Sequence, residues 1–226
     1  EGVPVVATGA GHPGKYMHAW KAAGILVIPV VSAVVLARRL AETGADAIVA
    51  EGLESGGHIG DITTMALVPQ VADAVDIPVI AAGGIADGRG VAAAYALGAS
   101  GVQVGTCLLA SDECPIHQNY KKAILKARDR STVVTGRSVG APVRIIKNKM
   151  SQAYLKQEAT GASLMDLEKY TLGSLRKAVV DGDTDNGSLM AGQIAGLVHT
   201  IRPLSDIFAS LEHDSQAVIQ KLGSAS

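Results

Sequence analysis

The chain has 226 residues, 48% of them apolar, but only one Phe, one Trp and five Tyr, so its core must be assembled from Val, Ile, Leu and Ala, which suit buried parallel strands covered by helices. That hydrophobicity excludes a disordered chain, and a formal net charge of −1 excludes a whole-chain attraction to nucleic acid or to an anionic membrane. Two cysteines, Cys107 and Cys114, exclude a disulfide framework and lack metal-site spacing, which fits a reducing cytoplasm.

In chain order, apolar runs that end at small or polar residues predict strands at Pro4–Thr8, Leu26–Val31, Ala47–Glu51, Pro78–Ala82 and Gly101–Gly105. Between them, helices are expected at Lys15–Ala23, Ala33–Thr43 with Ser32 as N-cap, Thr64–Val75 and Arg89–Leu97. Gly24, Gly44 and Gly98 follow three of these helices, where a left-handed cap is expected. The longest apolar stretch, Ala22–Ala37, falls short of the ~18 residues of a membrane span and is divided by Pro29 and Ser32. Iterated βα units give an α/β fold with a parallel sheet, open or closed into a barrel. After Gly105 the alternation stops. Candidate helices at Asn119–Ala127, Leu164–Val180, Ser188–Val198 and Leu204–Leu222 read as a helical appendage to a single domain spanning 1–226, with a helical subdomain around 112–180.

Several stretches carry potential chemistry. Gly9–Gly14 matches G-x-G-x-x-G, but no acid closes the next strand and Pro13 removes a backbone donor, so a glycine turn is the better reading than a dinucleotide site. Asp181–Gly187 superficially resembles a calcium loop, but Asn186 and Gly192 stand where Gly and a bidentate Glu are needed, leaving a turn before a helix capped by Ser188. "AAGGIADG" (81–88) and "VQVGT" (102–106) each follow a strand. In barrels the loops after the last two strands commonly form a phosphate site, with Gly83, Gly84 and Gly105 admitting close backbone approach and Thr106 adding a hydroxyl donor. "ESGGHIG" (54–60) sets His58 among glycines beyond the end of the strand at 47–51, where the chain could fold over a ligand. From Lys121 to Lys149, nine basic residues (Lys121, Lys122, Lys126, Arg128, Arg130, Arg137, Arg144, Lys147, Lys149) face one acid, Asp129, which reads either as a solvated surface or as a dock for an acidic partner.

"ESGGHIG", "IPVIAAGGIADG", "GVQVGT", "PVRIIKN" and "GSLMAGQIAGL", in this order, resemble the enoyl-acyl-carrier-protein reductase II family, FMN-dependent enzymes related to nitronate monooxygenases. The resemblance implies a TIM-type (β/α)8 barrel of which this chain holds strands 4–8 plus the C-terminal helical part, three βα units being expected before Pro4–Thr8. It further implies FMN, with NADH or NADPH as co-substrate, reducing trans-2-enoyl thioesters in fatty-acid elongation in the cytoplasm. By position it assigns Gly83, Gly84, Gly105 and Thr106 to the FMN phosphate, and Glu51 and Gln103 to the flavin's vicinity. Ser188, Met190 and Gln193 look like part of a helix over the cofactor, and His58 matches the active-site histidine. As an imidazole, His58 could polarise the thioester carbonyl or act as general acid.

Acyl carrier protein is acidic, so the resemblance gives the basic block at 121–149 a partner. A homodimer is compatible with this reading. Two alternatives stand beside it: a nitronate monooxygenase, and a non-catalytic phosphate-ligand-binding or interaction paralogue. Nucleic-acid binding is not expected, since Tyr120 alone accompanies the basic block as a stacking aromatic.

Overall fold

The computed structural model describes residues 2–9 and 13–224, and the middle of the Gly9–Gly14 turn lies outside them. The chain forms two compact units. The first comprises Glu1–Leu53, Gly60–Gln103 and Asp214–Ser226, and the second Glu54–Ile59 and Val104–His213.

The first unit is the βα repeat. Strands Val5–Thr8, Leu26–Val31, Ile48–Glu51, Val79–Ala82 and Gly101–Gln103 pair in parallel and in chain order, as in a TIM-barrel-type α/β fold. Helices Gly14–Ala22, Val34–Glu42, Thr64–Ala72 and Gly88–Ala96 connect them. Each lies within three residues of its expected bounds, because branched runs and glycine stops mark them plainly. Gly24, Gly44 and Gly98 have φ of +72°, +101° and +92°, the left-handed helix stops anticipated. The core is aliphatic: Val27, Leu40, Ile48, Val49 and Leu67 are fully or almost fully buried. One expectation fails locally. Ala33, not Ser32, is the N-cap of the second helix, with no side-chain cap bond. Ser32 instead lies against Gly60, where an added Cβ would clash with the serine side chain.

The second unit departs further from the helical appendage expected. It contains an antiparallel sheet in the order Gly57–His58, Val143–Ile146, Thr132–Thr135. Its helices include Gln118–Leu125, Lys149–Glu158, Leu164–Thr171 and Ser174–Val179, and Leu204–Gly223 begins in it. The single helix expected over 164–180 is two, because Gly173 at φ +74° ends one and starts the next. Ser188–Val198 is not a helix. Ser188 is buried with its hydroxyl 2.6 Å from that of Ser174, the Leu189 carbonyl accepts from Ile146 N–H at 2.8 Å, and Met190 bridges Ile145, so only Gln193–Leu197 winds into a short 3-10 turn. Tertiary pairing thus overrides helical spacing. Ile145, Met150, Tyr154 and Leu167 form the core of this region. Among the described residues no helix is long and apolar enough to cross a membrane.

Candidate functional site

In the first unit the relevant edge is the C-terminal end of the parallel sheet. Glu51, Ala82 and Gln103 are in register across three neighbouring strands, so the Glu51 and Gln103 side chains leave the same pleat level on either side of the strand that runs into Gly83. Gln103 is exposed and Glu51 half-buried. Gly83 and Gly84 have φ of +87° and +75°, a two-residue left-handed turn that side-chain-bearing residues adopt only at a cost of roughly 1–2 kcal/mol each. Thr64, at the start of its helix, donates its hydroxyl to the Gly83 carbonyl at 2.9 Å and pins this turn. Nothing in the sequence singled Thr64 out, since its partner is 19 residues away. The buried Thr8 hydroxyl, at the end of its own strand, has no hydrogen-bond partner. A Cβ-free turn, two polar side chains in register and an orphaned hydroxyl at strand ends suit a polar, phosphate-bearing cofactor such as FMN. Farther along, the Asp87 carboxylate caps helix Gly88–Ala96 and binds Arg89 at 2.6 Å, and the Arg89 side chain holds it below its usual range. The N-terminus of that helix is therefore already occupied by the protein's own carboxylate.

In the second unit the glycines around His58 serve close packing. A Cβ on Gly56 would lie 2.6 Å from the Ala191 carbonyl carbon and 2.7 Å from Gly192 N, and one on Gly192 would lie 2.7 Å from the Glu54 oxygen. The two segments are packed backbone to backbone, tied by Gln193 N–H donating to the Glu54 carbonyl at 2.9 Å. Gly57, at φ +81°, then turns the chain into a short strand in which His58 pairs with Val143 and Ile59 N–H donates to the Pro142 carbonyl at 3.1 Å. His58 itself is exposed. It stands on a braced edge.

The 188–193 segment is held from below. Thr106 Oγ1 accepts from Gly192 N–H at 2.8 Å, which leaves the buried hydroxyl its own proton to donate to an anion. Tyr120, also buried, donates its hydroxyl to the Met190 carbonyl at 2.7 Å, and burial pushes its phenol far above the usual range, fixing it as a donor. Gln193 is exposed and opens a 3-10 turn, not the helix expected. Gly105 is at φ −132° and a Cβ there would meet nothing within 4 Å, so neither conformation nor protein packing demands glycine. Ser55, one residue before the braced glycines, keeps a buried hydroxyl without a partner. Cys107 is buried and its thiol is pushed up by that burial, which suits packing and not nucleophilic chemistry.

The basic block is not one surface. Lys121 is 2% exposed, with its ammonium on the Ser111 carbonyl at 2.5 Å, and Arg144 is 5% exposed, with a bond to Thr132 Oγ1 at 3.2 Å. Lys147 donates to the Arg130 carbonyl, and Lys149 pairs with Asp185 at 2.7 Å. Lys122, Lys126, Arg128, Arg130 and Arg137 are exposed. Arg144 lies opposite Gly57 in the sheet. Burial, then the neighbouring Arg137 cation, holds its guanidinium below the usual range, while Glu54 acts in the other direction. In the loop at 181–187, the Asp183 carboxylate accepts from Asp185 N–H and Asn186 N–H at 3.0 and 2.9 Å, the turn foreseen.

The family described as nitronate monooxygenase matches residues 1–214. The chain is 48% identical to FabK from Thermotoga maritima, with a TM-score of 0.95 over 99% of this chain and 71% of that one. It is 33% identical to a curated (3aS,4S,5R,7aS)-5-hydroxy-7a-methyl-1-oxo-octahydro-1H-indene-4-carboxyl-CoA dehydrogenase of Rhodococcus jostii, covering 90% of this chain and 68% of the relative. A probable nitronate monooxygenase of Staphylococcus aureus is 34% identical, covering 96% of this chain and 64% of that protein.

Proposed function

Since the chain belongs to the nitronate monooxygenase family of oxidoreductases, we propose that it serves an FMN-dependent enoyl-acyl-carrier-protein reductase that uses NADH or NADPH. The observation that carries this reading is the 48% identity to FabK over 99% of the chain, against 34% or less to the two curated relatives above. The ordered motifs from "ESGGHIG" to "GSLMAGQIAGL" point to the same branch.

By motif position, Gly83, Gly84, Gly105 and Thr106 are assigned to the flavin phosphate. Glu51, Gln103 and Gln193 are assigned to the flavin's polar edges. When bound, FMN supplies the two-electron redox chemistry between nicotinamide and substrate. Reducing the enoyl thioester requires a hydride at the β-carbon and a proton at the α-carbon. His58, exposed on a strand braced by Val143 and Pro142, donates a hydrogen bond to the thioester carbonyl oxygen or the proton at the α-carbon. The brace matters because a misplacement of about 1 Å can cost an orienting group roughly 10²-fold in rate.

A second reading, oxidation of a nitronate by O₂, has the family and the Staphylococcus aureus relative behind it. In that reaction His58 acts as base or orienter. Replacing His58 by Ala in the flavin-loaded protein should leave the flavin absorbance unchanged and slow enoyl reduction by about 10²-fold or more. An unaltered rate overturns the assignment.

A further inference from the structure

The turn that joins strands Thr132–Thr135 and Val143–Ile146 carries one exposed arginine, Arg137, on a braced backbone in the same sheet as His58. Gly136 and Gly140 take φ of +79° and +70°, and a Cβ on Gly136 would collide with the Ala141 carbonyl oxygen. Glu158, reaching from helix Lys149–Glu158, accepts from Gly136 N–H at 3.3 Å, Ser138 N–H at 2.9 Å and the Ser138 hydroxyl at 2.9 Å. An internal carboxylate therefore already fills the anion nest of this turn, on both sides of residue 137. Arg137 is exposed between the two pinned amides. His58, Val143 and Thr135 form one row across the sheet, so the turn begins two strand spacings, about 10 Å, from His58. A clamped backbone lowers the entropy lost when the guanidinium engages a ligand, and a guanidinium fits a phosphate through paired donors.

We infer that Arg137 is a specificity residue that binds the 4′-phosphate of a pantetheine-linked thioester whose reacting carbons lie at His58. The inference rests on the thioester reading of the site. The pantetheine arm is an extended chain with two amide units between thioester sulfur and phosphate, suited to span the row from His58 to the turn. The relative whose name specifies a carboxyl-CoA substrate carries the same arm. Of the basic residues at 121–149, Arg137 thus takes the role that the block as a whole was expected to play, while Lys121 and Arg144 are buried inside. Glu158 acts through the turn as a positioning residue.

The test compares crotonyl-4′-phosphopantetheine with crotonyl-pantetheine on the flavin-loaded protein. Arg137→Ala should lower kcat/KM for the phosphorylated thioester about tenfold more than for the unphosphorylated one, the loss residing in KM. Arg137→Lys should recover part of it. Glu158→Gln should raise the same KM by a smaller factor with kcat held. Crotonyl-CoA and the crotonyl-carrier protein are parallel arms: a loss on both marks the shared phosphate, and a loss on CoA alone marks the nucleotide end and overturns the inference. Equal losses with and without the phosphate, or a loss confined to NADH or NADPH, also overturn it. Titration calorimetry of 4′-phosphopantetheine against pantetheine reads binding without turnover. If the protein reduces no thioester yet binds the phosphorylated compound more tightly, and through Arg137, the catalytic reading fails and this inference stands.

Discussion

Gly56→Ala is the perturbation that most sharply probes the brace under His58. The new Cβ would sit 2.6–2.7 Å from main-chain atoms of Ala191 and Gly192, which are backbone and cannot rotate away. Ordinary contact needs a separation of about 3.4–4 Å, so one segment must retreat by about 1 Å, an overpacking that costs roughly 1–3 kcal/mol. The same displacement stretches the 2.9 Å bond from Gln193 N–H to the Glu54 carbonyl beyond bonding range, adding about 1 kcal/mol. The expected loss is therefore about 2–4 kcal/mol, read from urea unfolding followed by tryptophan fluorescence and by circular dichroism, with coincident transitions required. Gly105→Ala is the control. Its Cβ enters open space at φ −132°, so stability of the flavin-free protein should change by less than about 0.5 kcal/mol. Flavin affinity should nevertheless fall if the phosphate approaches that backbone. A Gly56→Ala protein as stable as wild type would refute the claim that the glycines serve close packing.

Two further outcomes follow from the charge placement. Asp46 is held by the Lys21 ammonium at 2.6–2.7 Å and by Val27 N–H at 2.7 Å, which lower its carboxyl below the usual 3.8. A lowered folded value contributes stability above the unfolded one that is lost as pH falls through the folded one, so Asp46→Asn should cost about 1–2 kcal/mol at pH 7 and nothing in strong acid, measured by urea unfolding across pH. Lys121→Glu should destabilise by about 3 kcal/mol or more, because it buries a carboxylate against the carbonyls of Ser111 and Asp112, whereas Lys122→Glu on the exposed side should stay within about 0.5 kcal/mol by the same measurement.

The first unit was legible because its signals are local. Apolar runs such as Leu26–Val31 and glycine stops such as Gly44 announce their elements within a few residues, and their repetition fixes the parallel order. The second unit is specified by distant partners. Helix Lys149–Glu158 opens with a capping box formed by Asn148 and Ser151, not the usual acidic partner, and Asn148 also donates to the Thr184 and Gly187 carbonyls, 36 and 39 residues away. Ser188–Gly192 has helical spacing but is drawn into extended pairing with Ile145 and Ile146. The glycines at 56–57 and 83–84 were readable as turns or close approaches because glycine clusters beyond strand ends are rare without one to explain them. The contacts of Thr64, Tyr120 and Glu158 were not, since each reaches across a gap in sequence that no motif spans.

The most direct measurement supplies the flavin-loaded protein with two substrates side by side: crotonyl thioester with NADH or NADPH under anaerobic conditions, and a nitronate under air. The account predicts thioester-dependent oxidation of the nicotinamide with a saturated acyl product, and little nitronate-dependent O₂ uptake. Rapid O₂ uptake with the nitronate and no thioester reduction would contradict it.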